Sequence, residues 1–310
     1  MTTDAADPVR AAVLIEPAEL ALTLEVGEPV VLLDVRWSLG GPDGRTEHAA
    51  GHIPGAVFVD LETELAAPPS AAQGRHPLPS VAVLQAAARR WGVRAGVPVV
   101  AYDASGGTSA ARAWWLLRWA GFGDVRLLDG GLAGWLGDGG ALERGAVEPA
   151  PGDVTLTAGA LPSLDADDAE ALAVRGGGLL LDARAEERYR GEVEPIDPRA
   201  GHIPGAVSAP TTGNLDADGR FLDAAALRDR FAALGVATPA ADPAASAASG
   251  DQSAPTGLGV YCGSGVTAAH EVAALASIGI EAALYTGSWS QWSADPARDV
   301  AVGPDPLATG

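Results

Sequence analysis

Lysine is absent from this chain: all 20 of its basic residues are arginine. No lysine Schiff base, P-loop lysine or lysine general base is therefore available. An anionic substrate must be held by arginine and by backbone N–H groups. Cysteine occurs once, at Cys262, which rules out an internal disulfide and fits a reducing compartment such as the cytoplasm. No uncharged apolar run nears the roughly 18 residues of a membrane span. The opening Met-Thr-Thr-Asp-Ala-Ala-Asp-Pro lacks an apolar core, so no signal peptide is expected. Positive charge is in deficit as well. A formal charge of −20 opposes binding to nucleic acid or to an anionic membrane. Five scattered histidines and one cysteine give no metal-ligand spacing, so neither a metal nor another cofactor is expected.

What is present is a repeat. Ala50-Gly-His-Ile-Pro-Gly-Ala-Val57 recurs letter for letter from Ala200 to Val207. Ahead of each copy an apolar strand ends in acid-x-arginine: Val31-Leu-Leu-Asp34-Val-Arg36, and Leu179-Leu-Leu-Asp182-Ala-Arg184. After each comes a second strand, a turn and a helix, with Asp103 at the first turn and Cys262 at the second. A third strand and a tryptophan follow, Trp135 and Trp292. The offset grows from 148 (Asp34 to Asp182) to 159 (Asp103 to Cys262), which means domain duplication and not a solenoid. Strands alternating with helices predict an α/β fold, two parallel β-sheets flanked by helices on both faces. The spacing predicts helices over 80–91, 108–120, 224–234 and 266–278. The expected division is a domain over 1–145, a linker over 146–163 and a domain over 164–310. Residues 238–257 read as a low-complexity insertion.

Cys262 sits where an apolar strand meets a glycine-rich turn and a helix, Tyr261-Cys-Gly-Ser-Gly-Val-Thr267. Such a turn points successive N–H groups into one bowl, with the positive end of a helix dipole behind it. A sulfur anion is favoured there. A buried packing cysteine would have no need of Gly263 and Gly265, so Cys262 reads as a nucleophile.

Duplication supplies an internal control. Features in both copies serve the fold: His52 and His202 read as turn and packing residues, Arg36 and Arg184 as partners of the strand-end acids. Features in one copy only are candidates for chemistry: Cys262 against Asp103, Arg188 against Gly40, His76 against Phe221, Trp289 against Leu132, and Glu62 with no acidic counterpart. Together they suggest one active site around the second loop, with the first domain lending side chains.

Two Gly-His-Ile-Pro-Gly modules with cysteine only in the second loop resemble the tandem-domain rhodanese sulfurtransferases, from about residue 10 to 300. The Cys262-Gly-Ser-Gly-Val-Thr267 loop resembles that of 3-mercaptopyruvate sulfurtransferases. The resemblance implies that Cys262 takes a sulfane sulfur from a small anionic donor as a persulfide and hands it to a thiol acceptor such as thioredoxin, or to cyanide. Gly263, Gly265, Val266 and Thr267 would cradle the persulfide, and Arg188 would hold the donor's carboxylate. Ser264, His76 and Glu62 would form a relay protonating the leaving enolate, with Asp60 a competitor for the acid's place. A second donor-binding arginine, expected just before Gly201, is missing at Ile196–Asp197; Arg199 is the substitute in sequence. Thiosulfate is the alternative donor, and a persulfide carrier serving a protein partner is the alternative role. A Cys-based phosphatase needs an arginine six residues after the nucleophile, where this chain has Ala268.

Overall fold

The computed structural model describes residues 7–237 and 257–307. All but the last residue of the 238–257 insertion lie outside the described residues. The chain divides into two compact units, and neither is continuous in sequence. The first takes the chain up to Pro68, His76–Pro162 and Leu215–Phe221; the second takes Pro69–Arg75, Ser163–Asn214 and the chain from Leu222.

In the first unit five strands, β1 (Leu14–Ile15), β2 (Val31–Asp34), β3 (Val57–Phe58), β4 (Val99–Tyr102) and β5 (Val125–Leu128), form a sheet of order β1-β5-β4-β2-β3. The second unit repeats it with β6 (Ser163–Leu164), β7 (Leu179–Asp182), β8 (Val207–Ser208), β9 (Leu258–Tyr261) and β10 (Ala283–Tyr285), in the order β6-β10-β9-β7-β8. Every strand pair in both sheets is parallel. All four residues of β4 are buried, so both faces of the sheet are covered, as continuous apolar runs in parallel sheets require.

The helices fall where the apolar spacing puts them, trimmed by a residue or two: Val81–Arg90, Ala110–Trp119, Ala224–Ala233 and Thr267–Ala276. Ser80 and Asp223 cap two of these, accepting from the N–H groups of Val83 at 3.3 Å and Ala226 at 2.8 Å. No helix among the described residues is long and apolar enough to cross a membrane.

The repeated motif has a repeated job. The N–H of Ile53 donates to the Tyr102 hydroxyl at 3.0 Å, and that of Ile203 to the Tyr261 hydroxyl at 3.1 Å. Each Gly-His-Ile-Pro-Gly turn is thereby tied to the strand that leads into its loop. His52 and His202 are wholly buried, with Nδ1 2.8 Å from the carbonyls of His48 and Tyr189. Arg36 and Arg184 pair with Asp34 and Asp182.

Residues 146–162 are not a free tether but a strap on the first unit. Gly152 donates to the Arg89 carbonyl at 2.7 Å, and Thr157 and Ala160 donate to Ala120 and Trp119, both at 2.9 Å. Val154 and Leu156, within the strap, are buried.

Candidate active site

The cysteine loop begins where β9 runs out. Cys262 is 1% exposed, and the Gly265 N–H points at its Sγ from 3.1 Å. Gly265 has φ +80°, a left-handed conformation that glycine adopts without penalty. Behind the loop the helix Thr267–Ala276 starts with no side chain capping it, so its dipole faces the sulfur unshielded by a cap.

A second short helix, Ser288–Trp292, fastens the loop from the other side. Trp289 donates to the Cys262 carbonyl at 3.0 Å and Ser290 to the Gly263 carbonyl at 2.8 Å. The Ser288 hydroxyl accepts from the Cys262 N–H at 3.2 Å while donating to the Tyr285 carbonyl at 2.8 Å. Ser288 has φ +53°, the only non-glycine residue with positive φ among the described residues. That conformation costs about 1 kcal/mol or more, and here it aims a hydroxyl at the nucleophile's backbone.

The first unit reveals what such a loop binds. Asp103 stands in the place of Cys262, and its carboxylate is wholly buried. It accepts from the N–H groups of Ser105 at 2.7 Å, Gly107 at 2.8 Å, Ser109 at 2.7 Å and Ala110 at 2.9 Å. The loop is an anion bowl, and in the first unit an internal carboxylate fills it. In the second unit a sulfur takes that position.

Two guanidinium groups converge above Gly263. A Cβ built there would lie 2.9 Å from Nη2 of Arg75 and 3.3 Å from Nη1 of Arg188, so a side chain at this position would displace both guanidinium groups. Arg188 projects from the single-turn helix Glu186–Tyr189. Its Nη2 donates to both oxygens of Glu194, at 2.8 and 3.0 Å, and lies 3.2 Å from Oδ2 of Asp197. The other oxygen of Asp197 bonds Nη1 of Arg75. The sequence pattern points to Arg188 and carries no signal for Arg75. Arg75 arrives because Pro69–Arg75 packs with the second unit: its N–H donates to the Ser290 hydroxyl at 3.0 Å, and Gln291 donates to the Ala72 carbonyl at 2.7 Å.

Arg199 is not beside this pair. Its guanidinium donates to the carbonyls of Trp292, Ser293, Asp295 and Arg298, at 2.6 to 2.9 Å. Those carbonyls tie down the chain after the helix Ser288–Trp292 and take four of the five N–H donors of Arg199, a structural use of the group. Trp289 is likewise part of the framework, wholly buried with the Arg184 guanidinium 4.5 Å over its ring.

Ser264 lies in the cysteine loop and is 6% exposed. His76 and Glu62 belong to the first unit. The His76 carbonyl accepts from Arg112 at 2.9 Å, and the ring meets Trp37 edge-on, 5.5 Å between centroids. Trp37 Nε1–H in turn donates to Oε1 of Glu62 at 3.2 Å. Asp60, the competing acid, caps a short helix with one oxygen, Oδ1, which accepts from the N–H groups of Glu62 and Thr63. Trp37 went unnoticed in the sequence; nothing in its local pattern separates it from the other tryptophans.

The model of the rhodanese-like domain matches this chain twice, at residues 16–138 and 165–295. A protein of Mycobacterium tuberculosis, provisionally named thiosulfate sulfurtransferase SseB, is 50% identical over 299 residues, covering 95% of this chain and 98% of its own. A protein of Pseudomonas aeruginosa, provisionally named 3-mercaptopyruvate sulfurtransferase, is 46% identical over 287 residues, with 91% and 96% covered. Among solved structures, SseA of Escherichia coli, described as a 3-mercaptopyruvate sulfotransferase, superposes with a TM-score of 0.74 at 33% identity, covering 89% of this chain and 98% of its own.

Proposed function

The chain belongs to the rhodanese-like family as a tandem-domain sulfurtransferase, and from that premise we propose that it moves sulfane sulfur from 3-mercaptopyruvate to a thiol through a persulfide on Cys262. The observation that carries this reading is the substitution of sulfur for carboxylate in an anion bowl, Cys262 for Asp103, with Arg188 above it.

The steps balance without a cofactor. The Cys262 thiolate attacks the donor's sulfur, an S–S bond forms, and the C–S bond breaks with its electron pair leaving on carbon. The products are an enzyme hydropersulfide and the pyruvate enolate, which takes one proton to become pyruvate. An acceptor thiolate then attacks the outer sulfur and returns Cys262 as thiolate, in double-displacement order. The Gly265 N–H and the backbone of Gly263, Val266 and Thr267 stabilise the anionic sulfur as oxyanion-hole donors do an oxygen. Arg188 holds the donor carboxylate, a task suited to its planar fork. Ser264 and His76 deliver the enolate's proton. Glu62 positions His76 indirectly, through Trp37, whose indole N–H it accepts and whose ring meets the imidazole edge-on. A protein dithiol such as thioredoxin suits the acceptor role, and the cytoplasm suits a lone reduced cysteine.

Thiosulfate is the second reading, favoured by the name of the mycobacterial relative. It loses sulfite and needs no carbon protonated. The deciding experiment compares mercaptopyruvate and thiosulfate as donors, each with cyanide and with a dithiol, following pyruvate, sulfite and thiocyanate. A kcat/KM at least about tenfold higher for mercaptopyruvate is the expected result, equivalent to roughly 1.4 kcal/mol of transition-state preference. Higher thiosulfate activity overturns the donor assignment. Stoichiometric loading of Cys262 without turnover makes the protein a persulfide carrier.

A further inference from the structure

We infer that Arg75 is the second donor-binding arginine of this site, completing with Arg188 a two-guanidinium carboxylate clamp over the Cys262 loop; this rests on the donor-binding reading above and assigns it a residue.

The position from which a second arginine would be expected holds Asp197. An acid there has the wrong sign to bind a carboxylate. It has the right sign to recruit an arginine, and it does: Asp197, 4% exposed, bonds Arg75 with one oxygen and Arg188 with the other. The carboxylate thus spaces two guanidinium groups as a shared strut. Both reach the backbone of the residue after Cys262, within 2.9 and 3.3 Å of the position a Gly263 Cβ would take.

The two arginines are not saturated by this arrangement. Nε of Arg75 and Nε of Arg188 are both buried without a hydrogen-bond partner, although the side chains are 25% and 19% exposed overall. An unpaired buried N–H is unfavourable, a penalty that a bound acceptor removes. The charges decide what kind of acceptor. Arg75 and Arg188 are offset by Glu194 and Asp197, so the four groups sum to zero formal charge. Attraction must then come from directed N–H donors and not from net positive charge. A planar carboxylate engages such forks two bonds at a time, whereas a dianion gains little from a neutral cluster. The clamp therefore selects the carboxylate donor over thiosulfate.

Arg75 is also built in rigidly. Gly74, at φ +87°, lets the chain turn against the Gly287 carbonyl and the Ser290 hydroxyl, the latter accepting the Arg75 N–H. The same short helix pins the carbonyls of Cys262 and Gly263. One element therefore fixes both the nucleophile and the clamp.

The test uses the full chain and pyruvate, the carboxylate the donor leaves behind. Cys262 is the only thiol, so its alkylation by iodoacetamide is read directly from the intact mass. Pyruvate should protect wild-type Cys262, and the concentration giving half-protection should rise about tenfold or more in Arg75→Ala, roughly 1.4 kcal/mol of binding. Arg75→Lys, which keeps the charge and loses the fork, should fall between the two and serves if the alanine variant does not fold. Mercaptopyruvate KM should rise in parallel with smaller change in kcat, while thiosulfate KM shifts by less than about threefold. Equal protection in wild type and variants overturns the inference, as does a wild type that pyruvate does not protect. Equal losses with both donors overturn it too, since that marks a merely structural arginine. If pyruvate protects wild type and not Arg75→Ala, yet mercaptopyruvate loads no sulfur onto Cys262, the clamp stands and the donor assignment falls.

Discussion

Gly263 matters for what it lacks. A methyl group there would press on the tips of Arg75 and Arg188 and shift both guanidinium groups. Its neighbour Ser264 is the residue that, in the proposed relay, separates the two donors. Enolate protonation needs a proton source, and sulfite departure does not. Ser264→Ala should lower mercaptopyruvate kcat by about a hundredfold, within the range of lost general-acid catalysis, while thiosulfate turnover changes by less than about threefold. Steady-state kinetics with the two donors checks this, and matching losses would remove Ser264 from the relay. The same scale shows why one arginine deceived the sequence reading. Arg199 stands close to the expected place along the chain, but its guanidinium is consumed by four carbonyls. Proximity in sequence said nothing about where the side chain's donors would be spent.

The helix Thr267–Ala276 carries an unusual load for an element buried behind a nucleophile: His270 and Glu271, both with no exposed surface. Glu271 accepts from Asn214 at 2.6 Å, Asn214 accepts from Arg230 at 2.8 Å, and the Thr211 hydroxyl lies 2.7 Å from Nδ1 of His270. Burial pushes the Glu271 carboxyl up to about 7, against the pull of Arg230, Asn214 and Thr211. The folded state therefore keeps a proton that the unfolded chain releases near pH 4.5. Stability from this group is fully present below that pH and is lost as pH rises through about 7. Denaturant unfolding should show wild type weakening between pH 5 and pH 8 by about 1–3 kcal/mol more than Glu271→Gln does. Parallel pH profiles for the two proteins would refute it.

At this scale most of the fold was legible. Short, mostly apolar runs marked β2, β4, β7 and β9, and residue spacing marked the helices. The cysteine loop was legible because glycines and a lone thiol are local signals. The arginine clamp was not. Arg75 meets Ser290 across 215 residues of chain, and no periodicity encodes a contact of that range.

For the whole molecule, charge and segment exchange are the dominant facts. With 40 acids against 20 arginines, self-repulsion opposes the compact state. Screening relieves it, so raising NaCl from about 10 to 200 mM at pH 7.5 should raise Tm by a few degrees, the Debye length falling from about 30 Å to below 10 Å. An unchanged or falling Tm would mean that the paired arginines have already cancelled the repulsion. Each unit also owns a loop from the other half of the sequence: Pro69–Arg75 sits in the second, and Leu215–Phe221 sits in the first, where Phe221 N–H donates to Asp129 at 2.8 Å. A cut at the linker would therefore not return two whole modules.

Asp103 carries this asymmetry further, into what the protein can become. Its carboxylate satisfies four amides, three of them in buried bonds. A thiol cannot replace two oxygens there, and each amide it left unsatisfied would cost about 1–3 kcal/mol. The first module's bowl is thus closed to sulfur by its own occupant, and a laboratory that wants two working centres in one chain must rebuild the loop along with the residue.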